Sequence, residues 1–136
     1  VVYIWDNTYS GIASYSFIKS TNIPQGSFTY NGIYSAGSRS SDFAEIGNLS
    51  ITANFQNDTF TINGQSSNTS LTGTGFIDKS NGRISSGGLS FISPYGTNYG
   101  ATTLGRLGNS SANNISGVFY TNDSNPDYAG AYSADR

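Results

Sequence analysis

ISGVFYTNDSNPDYAGAYSADR, residues Ile115 to Arg136, is the stretch whose reading decides the fold. Val118 and Tyr120 alternate with Phe119 and Thr121. The run from Asn122 to Pro126 is made of turn-forming residues. Tyr128, Gly130 and Tyr132 then alternate with Ala129, Ala131 and Ser133. A period of two puts successive side chains on opposite faces of an extended strand, so the segment predicts two antiparallel strands closing a sheet.

The same period recurs upstream, bounded by Gly, Asn, Ser and Asp, and no window shows capped helical spacing. Candidate strands are Val1 to Trp5, Ile12 to Ile18, Ser27 to Ser35, Asn48 to Phe55, Thr59 to Gly64, Leu71 to Ile77, Arg83 to Phe91, Ser116 to Thr121 and Tyr128 to Ser133. In the clearest hairpin, Leu49, Ile51, Ala53 and Phe55 point one way, Gln56 to Asp58 reverses the chain, and Phe60 and Ile62 return on the same face. Asp78 to Gly82 punctuates a second hairpin.

Short reversals between consecutive strands favour a meander over the crossing connections of a sandwich. Curling about eight strands into one antiparallel barrel with a side-chain-filled interior also removes exposed edges. Gly32, Gly73, Gly75, Gly87 and Gly88 suit the bends of such a barrel, or simple bulges. Two connections are longer than hairpins need, Ala36 to Gly47 and Ile92 to Asn114. The second is expected to be functional or disordered, or to hide a strand at Ala101 to Leu104.

With 136 residues the chain has room for one domain, 1–136, in which 1–9 is a candidate N-terminal arm. Only 10% of residues are charged, and the six cations stand one at a time, so the clustered Lys and Arg of a nucleic-acid surface are missing. Without histidine or cysteine, the usual general base, thiolate chemistry and the commonest transition-metal ligands are absent. Two carboxylate pairs, Asp42 with Glu45 and Asp123 with Asp127, are the remaining catalytic candidates. Asn122, Asp123, Asn125 and Asp127 offer oxygen ligands for Ca²⁺, but lack the glycine and bidentate glutamate of a dedicated loop, and closing their own turns accounts for them. No enzyme activity, cofactor or metal is expected. No apolar run is long enough to span a bilayer as a helix, so any membrane attachment is expected through a lipid anchor ahead of Val1.

In order, these pieces resemble the β-barrel domain of the transferrin-binding-protein-B-like surface lipoproteins of Gram-negative bacteria. Phe28 to Tyr34 (FTYNGIY) is similar to that family's opening tyrosine, glycine and aromatic strand. Gly47 to Gly64 is similar to its alternating strand, turn and glycine-ended return strand. Ile115 to Ser133 resembles its closing signature, with Thr121-Asn122 where that signature carries Gly-Pro and with Asp127 near its usual glutamate. The resemblance implies a filled barrel, export to the cell surface or medium, and binding without catalysis. Its relatives engage host proteins or help to acquire nutrients such as haem. Larger members add a second, ligand-contacting domain for which this chain has no room, so transferrin binding is not carried over.

Ten tyrosines and eight phenylalanines exceed what a barrel interior obviously needs. Tyrosines in Gly/Ser/Asn loops make contact surfaces of low entropic cost, and Tyr95 and Tyr99 are the first partner-binding candidates. Folding back as plugs over a barrel mouth is their alternative. Arg39, Phe43 and Arg106 complete the candidate site. Val1, Val2, Tyr3, Ile4 and Trp5 form an apolar terminal strand that either pairs within the chain or augments a neighbouring copy.

The expected role is therefore a secreted or surface-exposed module binding a host or environmental protein through barrel loops. The alternatives are a self-assembling structural subunit and a lipocalin-like carrier of a small molecule.

Overall fold

The computed structural model describes residues 23–108 and 111–136 with their side chains, and residues 2–5 and 9–12 as paired strands. Among the described residues, eight of ten strands close a barrel in which each strand pairs antiparallel with its sequence neighbour. These are β3 (Ser27–Ser38), β4 (Ala44–Asn54), β5 (Thr59–Gln65), β6 (Ser70–Asp78), β7 (Arg83–Ile92), β8 (Asn98–Gly108), β9 (Asn114–Thr121) and β10 (Tyr128–Asp135). β10 returns to pair with β3 from Tyr128↔Ser38 to Asp135↔Asn31, so no barrel edge is left open. The predicted antiparallel meander barrel is the observed fold.

The hairpin of β4 and β5 is formed as its alternation requires. Leu49, Ile51, Ala53, Phe55, Phe60 and Ile62 are all buried, while Thr52, Thr61 and Asn63 are exposed. The Asn54 side chain accepts from the backbone N–H of Gln56 and of Asn57 and so holds the reversal, and Asp58 takes a positive φ of 59°.

Both long connections shrink. β3 runs on to Ser38 and β4 starts at Ala44, which leaves only residues 39–43 between them. Nearly half of the Ile92 to Asn114 stretch is β8, an 11-residue strand. The strand suspected at Ala101 to Leu104 is its centre. Periodicity is faint in β8 because its inward positions are Ala101, Thr103, Gly105 and Leu107, mostly small.

The inward positions are small because large rings from other strands occupy the space. A Cβ on Gly105 would meet the Tyr132 hydroxyl at 2.9 Å, and one on Gly117 would meet it at 2.6 Å. The Tyr34 ring lies in the same way against Gly47 and Gly64, and the Phe60 ring against Gly75. Tyr30, Tyr34, Phe55, Phe60, Phe91 and Phe119 are each no more than 2% exposed and belong to one core cluster that fills the barrel. Two irregularities interrupt the ladders, between Thr72 and Phe76 on β6 and between Ser86 and Leu89 on β7. They hold the predicted strand glycines Gly73, Gly75, Gly87 and Gly88.

The remaining strands, β1 (Val2–Trp5) and β2 (Tyr9–Ile12), form a separate antiparallel pair from Val2↔Ile12 to Trp5↔Tyr9. β2 lies alongside β10 and β3. The arm thus pairs with a strand of its own chain without entering the barrel. Val1 and positions 13–18 of the expected second strand lie outside the described residues.

Candidate functional site

The alternating strand directions sort the loops to two ends. Loops 39–43, 66–69, 93–97 and 122–127 gather at one end, the mouth, and turns 55–58 and 79–82 lie at the other, with residues 111–113 and Arg136. Four of the five partner-binding candidates, Arg39, Phe43, Tyr95 and Tyr99, are thereby brought to the mouth. Arg106 is on β8 nearer the opposite end, where its Nη1 donates to the Asn81 carbonyl at 3.3 Å.

Tyr95 sits at the tip of a locked turn, Ser93-Pro94-Tyr95-Gly96-Thr97. The Ser93 carbonyl accepts from Gly96 N–H at 2.9 Å, and the Ser93 N–H donates to the Thr97 carbonyl at 2.9 Å. The Ser93 Oγ accepts from the N–H of Tyr95 and of Thr97. Pro94 pre-sets the first turn position, and Gly96 supplies the left-handed residue at φ 82°. The result is a rigid backbone carrying an aromatic side chain that is 86% exposed.

Tyr99 does something different. It is the first inward residue of β8, and its hydroxyl donates to Asp127 Oδ2 at 3.2 Å. Its ring stands edge-on to Tyr128, with centroids 5.5 Å apart. Burial, reinforced by the Asp127 carboxylate that its proton serves, raises the Tyr99 pKa above the ordinary phenol value. Its hydroxyl and ring are thus both engaged within the chain.

Arg39 and Phe43 also brace the mouth. Arg39 donates from Nη2 to Asp127 Oδ1 at 3.0 Å, from Nε to the Pro126 carbonyl at 3.2 Å, and from its backbone N–H to the Asp127 carbonyl at 2.9 Å. The Phe43 ring meets Tyr128 edge-on at 6.4 Å. Tyr128, only 6% exposed, therefore carries Phe43 and Tyr99, and packs in turn on Phe91 at 5.2 Å. Its pKa is raised by burial, with a partly opposing hydrogen bond from Ser93. Residue-type reasoning missed Tyr128 as the centre of the mouth. Its place as the first residue after the closing turn was the available signal.

Two side chains of the turn at 122–127 are tied to neighbouring segments. Asp127 serves Arg39 and Tyr99, while Asn122 accepts from Thr102 Oγ1 at 2.5 Å and donates to the Gly87 carbonyl at 3.3 Å. Asp123 Oδ1, by contrast, is buried without a hydrogen-bond partner among the described residues.

Charge is unevenly divided. Among the described residues the mouth gathers the carboxylates of Asp42, Glu45, Asp123 and Asp127 against one cation, Arg39. Lys79, Arg83, Arg106 and Arg136 lie towards the other end with Asp58, Asp78 and Asp135. Of these, Lys79 pairs with Asp58 at 3.1 Å and donates to the Phe55 carbonyl at 2.9 Å.

No family model and no curated protein matches the sequence. Solved structures do match. A surface lipoprotein superimposes with a TM-score of 0.65 at 12% identity, covering 86% of this chain and 64% of that one. Transferrin binding protein B from Actinobacillus pleuropneumoniae gives 0.63 at 12% identity over the same shares. Isotype 1 transferrin binding protein B from serogroup B Neisseria meningitidis gives 0.61 at 11% identity, over 82% of this chain and 26% of that one. This chain thus spans less than two thirds of the length of these structures. At such identities the likeness is one of fold, and in fold this chain is a transferrin-binding-protein-B-like barrel domain.

Proposed function

We propose that the chain is a non-enzymatic binding module, secreted or displayed at the cell surface, that engages a host or environmental protein through its mouth loops in the service of nutrient acquisition. One observation carries this reading: Tyr95 projects, 86% exposed, from a turn fixed by four hydrogen bonds. A large aromatic side chain on a pre-ordered backbone loses little entropy on binding and is the usual anchor of a protein interface. The surrounding carboxylates favour a partner with a basic surface. The filled interior removes the open cavity that a lipocalin-like carrier needs. The likeness to surface lipoprotein and transferrin binding protein folds supports surface display and protein recognition.

Capture from the fluids in which the producing organism lives is the test. Tyr95→Ala should lower capture of the partner roughly tenfold or more while leaving the melting temperature nearly unchanged. Tyr99→Phe should leave capture intact, since that hydroxyl is engaged by Asp127. Undiminished capture by Tyr95→Ala would remove the mouth as the site.

A further inference from the structure

Beyond the mouth, the geometry points to a second binding site, a trough on the outer wall over β7 that takes an extended peptide segment bearing an apolar side chain and, two residues on, a carboxylate. Phe76 pairs with Ser85, and Ser85 with Leu104, so the three stand in one row across β6, β7 and β8. Phe76 is 71% exposed and Leu104 49% exposed, with the small Ser85 between them. Two apolar walls therefore flank a low floor, which Gly87 and Gly88 continue along β7. The next row towards the cationic end is Asp78, Arg83 and Arg106. The two parts of the trough meet at Ser85 and Leu104 and hold about 450 Å³ each.

Two features specify the occupant. The first is spacing. Adjacent same-face rows of a sheet lie two residues apart, roughly 6.5 Å along the strand, and alternate side chains of an extended peptide repeat at the same distance. A peptide lying along β7 with one side chain between Phe76 and Leu104 therefore brings its next same-face side chain to Arg83 and Arg106. The second is charge. That row carries two guanidiniums and one carboxylate, and the Asp78 carboxylate already accepts from the Ser80 N–H and hydroxyl, which hold its pKa below the usual range. Arg106 Nη1 is engaged at the Asn81 carbonyl, which steadies the guanidinium at the trough's end. An anionic side chain balances the row, and a basic one is repelled.

The experiment is amide and methyl NMR of the whole protein titrated at low salt with the probe peptide acetyl-Ser-Ser-Leu-Ser-Glu-Ser-amide. Saturable shifts are expected at Ser85, Gly87, Gly88 and Leu104. Replacing the probe's leucine by serine, or Phe76→Ser in the protein, should weaken binding about tenfold, as loss of a buried aliphatic group does. Replacing its glutamate by glutamine, or Arg83→Gln, should weaken it about threefold, and added salt should erase that difference. Mapping on the unaltered protein stands whether or not Phe76→Ser folds. No shifts in the trough, or equal binding of the leucine-free probe, overturns the proposal. So do trough shifts that appear on concentrating the protein alone and vanish in Tyr95→Ala, because the occupant is then the mouth of a second copy. With the unaltered mouth unused by the probe, Tyr95→Ala should leave peptide binding unchanged, which separates this site from the proposed function.

Discussion

Arg39 and Asp127 join two loops far apart in sequence, with Arg39 Nη2 and Asp127 Oδ1 3.0 Å apart and both side chains only partly exposed. The pair ties the β3–β4 loop to the β9–β10 loop beside the seam where the barrel closes, and Tyr99 holds the second carboxylate oxygen. Asp127→Asn removes the ion pair while keeping an acceptor for Arg39. Because both groups are partly screened by solvent, the expected loss is about 1 kcal/mol in urea unfolding. A loss near zero would show that the ion pair adds nothing to the ring packing on Tyr128 and the other bonds Arg39 makes to this loop.

Tyr95 and Tyr128 should separate cleanly in stability. Tyr95→Ala removes an exposed ring and is expected to change unfolding free energy by no more than about 0.5 kcal/mol. Tyr128→Ala removes the ring on which Phe43, Tyr99 and Phe91 pack, at about 3 to 5 kcal/mol. Equal effects in thermal or denaturant unfolding would contradict this division.

The glycines should divide in the same way. On Gly75 a Cβ would lie 2.6 Å from the Phe60 ring and 2.5 Å from the Ser85 carbonyl, so Gly75→Ala should cost roughly 1 to 3 kcal/mol through overpacking. A Cβ on Gly87 meets nothing within 4 Å, and Gly87→Ala should stay within about 0.5 kcal/mol of the parent. Chemical denaturation of the two variants side by side is the measurement.

Alkaline pH should unfold the protein. Tyr30, Tyr99, Tyr128 and the fully buried Tyr132 all have pKa values raised above 10.0, chiefly by burial. Above the pKa of the unfolded phenols, near 10, the unfolded chain holds fewer protons than the folded one, so stability falls as pH rises. The stabilisation is fully present below that pH and is lost on the way up through the raised folded-state values. Monitoring tyrosinate absorbance with circular dichroism should show ionisation of these rings only as the barrel melts. Ionisation of all ten tyrosines near pH 10 in a folded barrel would refute it.

The arm yields a test of the structural-subunit alternative. β1 pairs with β2 within the chain, and the binding-module reading predicts a monomer in sedimentation at rising concentration. Polymers lost on replacing Ile4 and Trp5 by serine would favour assembly through the terminal strand.

The fold was legible wherever large apolar residues alternate with polar ones, as in Leu49 to Ile62 and in the closing strands. It was illegible where the barrel needs room. Ala101, Thr103 and Gly105 leave space for rings such as Tyr132 from another strand, so the strand that carries them looks like a loop. The two first-choice tyrosines differ in their surroundings: Tyr95 is 86% exposed, and Tyr99 is bonded to Asp127 and packed on Tyr128. Nothing local distinguishes them, because the difference lies in Asp127 and Tyr128, 28 and 29 positions further along the chain than Tyr99. The Phe76 and Leu104 trough was hidden for a similar reason, since their neighbourhood exists only once β6, β7 and β8 are in register.

The seam joining Asn31 to Asp135 has a consequence for biogenesis. Seven of the barrel's eight ladders link consecutive strands and are able to zip up as the chain lengthens, but the eighth waits for the final strand. Until β10 is synthesised, the unfinished sheet exposes β3 on one side and β9 on the other. A chain lacking β10 would therefore keep two unpaired strand edges, each a template for pairing with another chain.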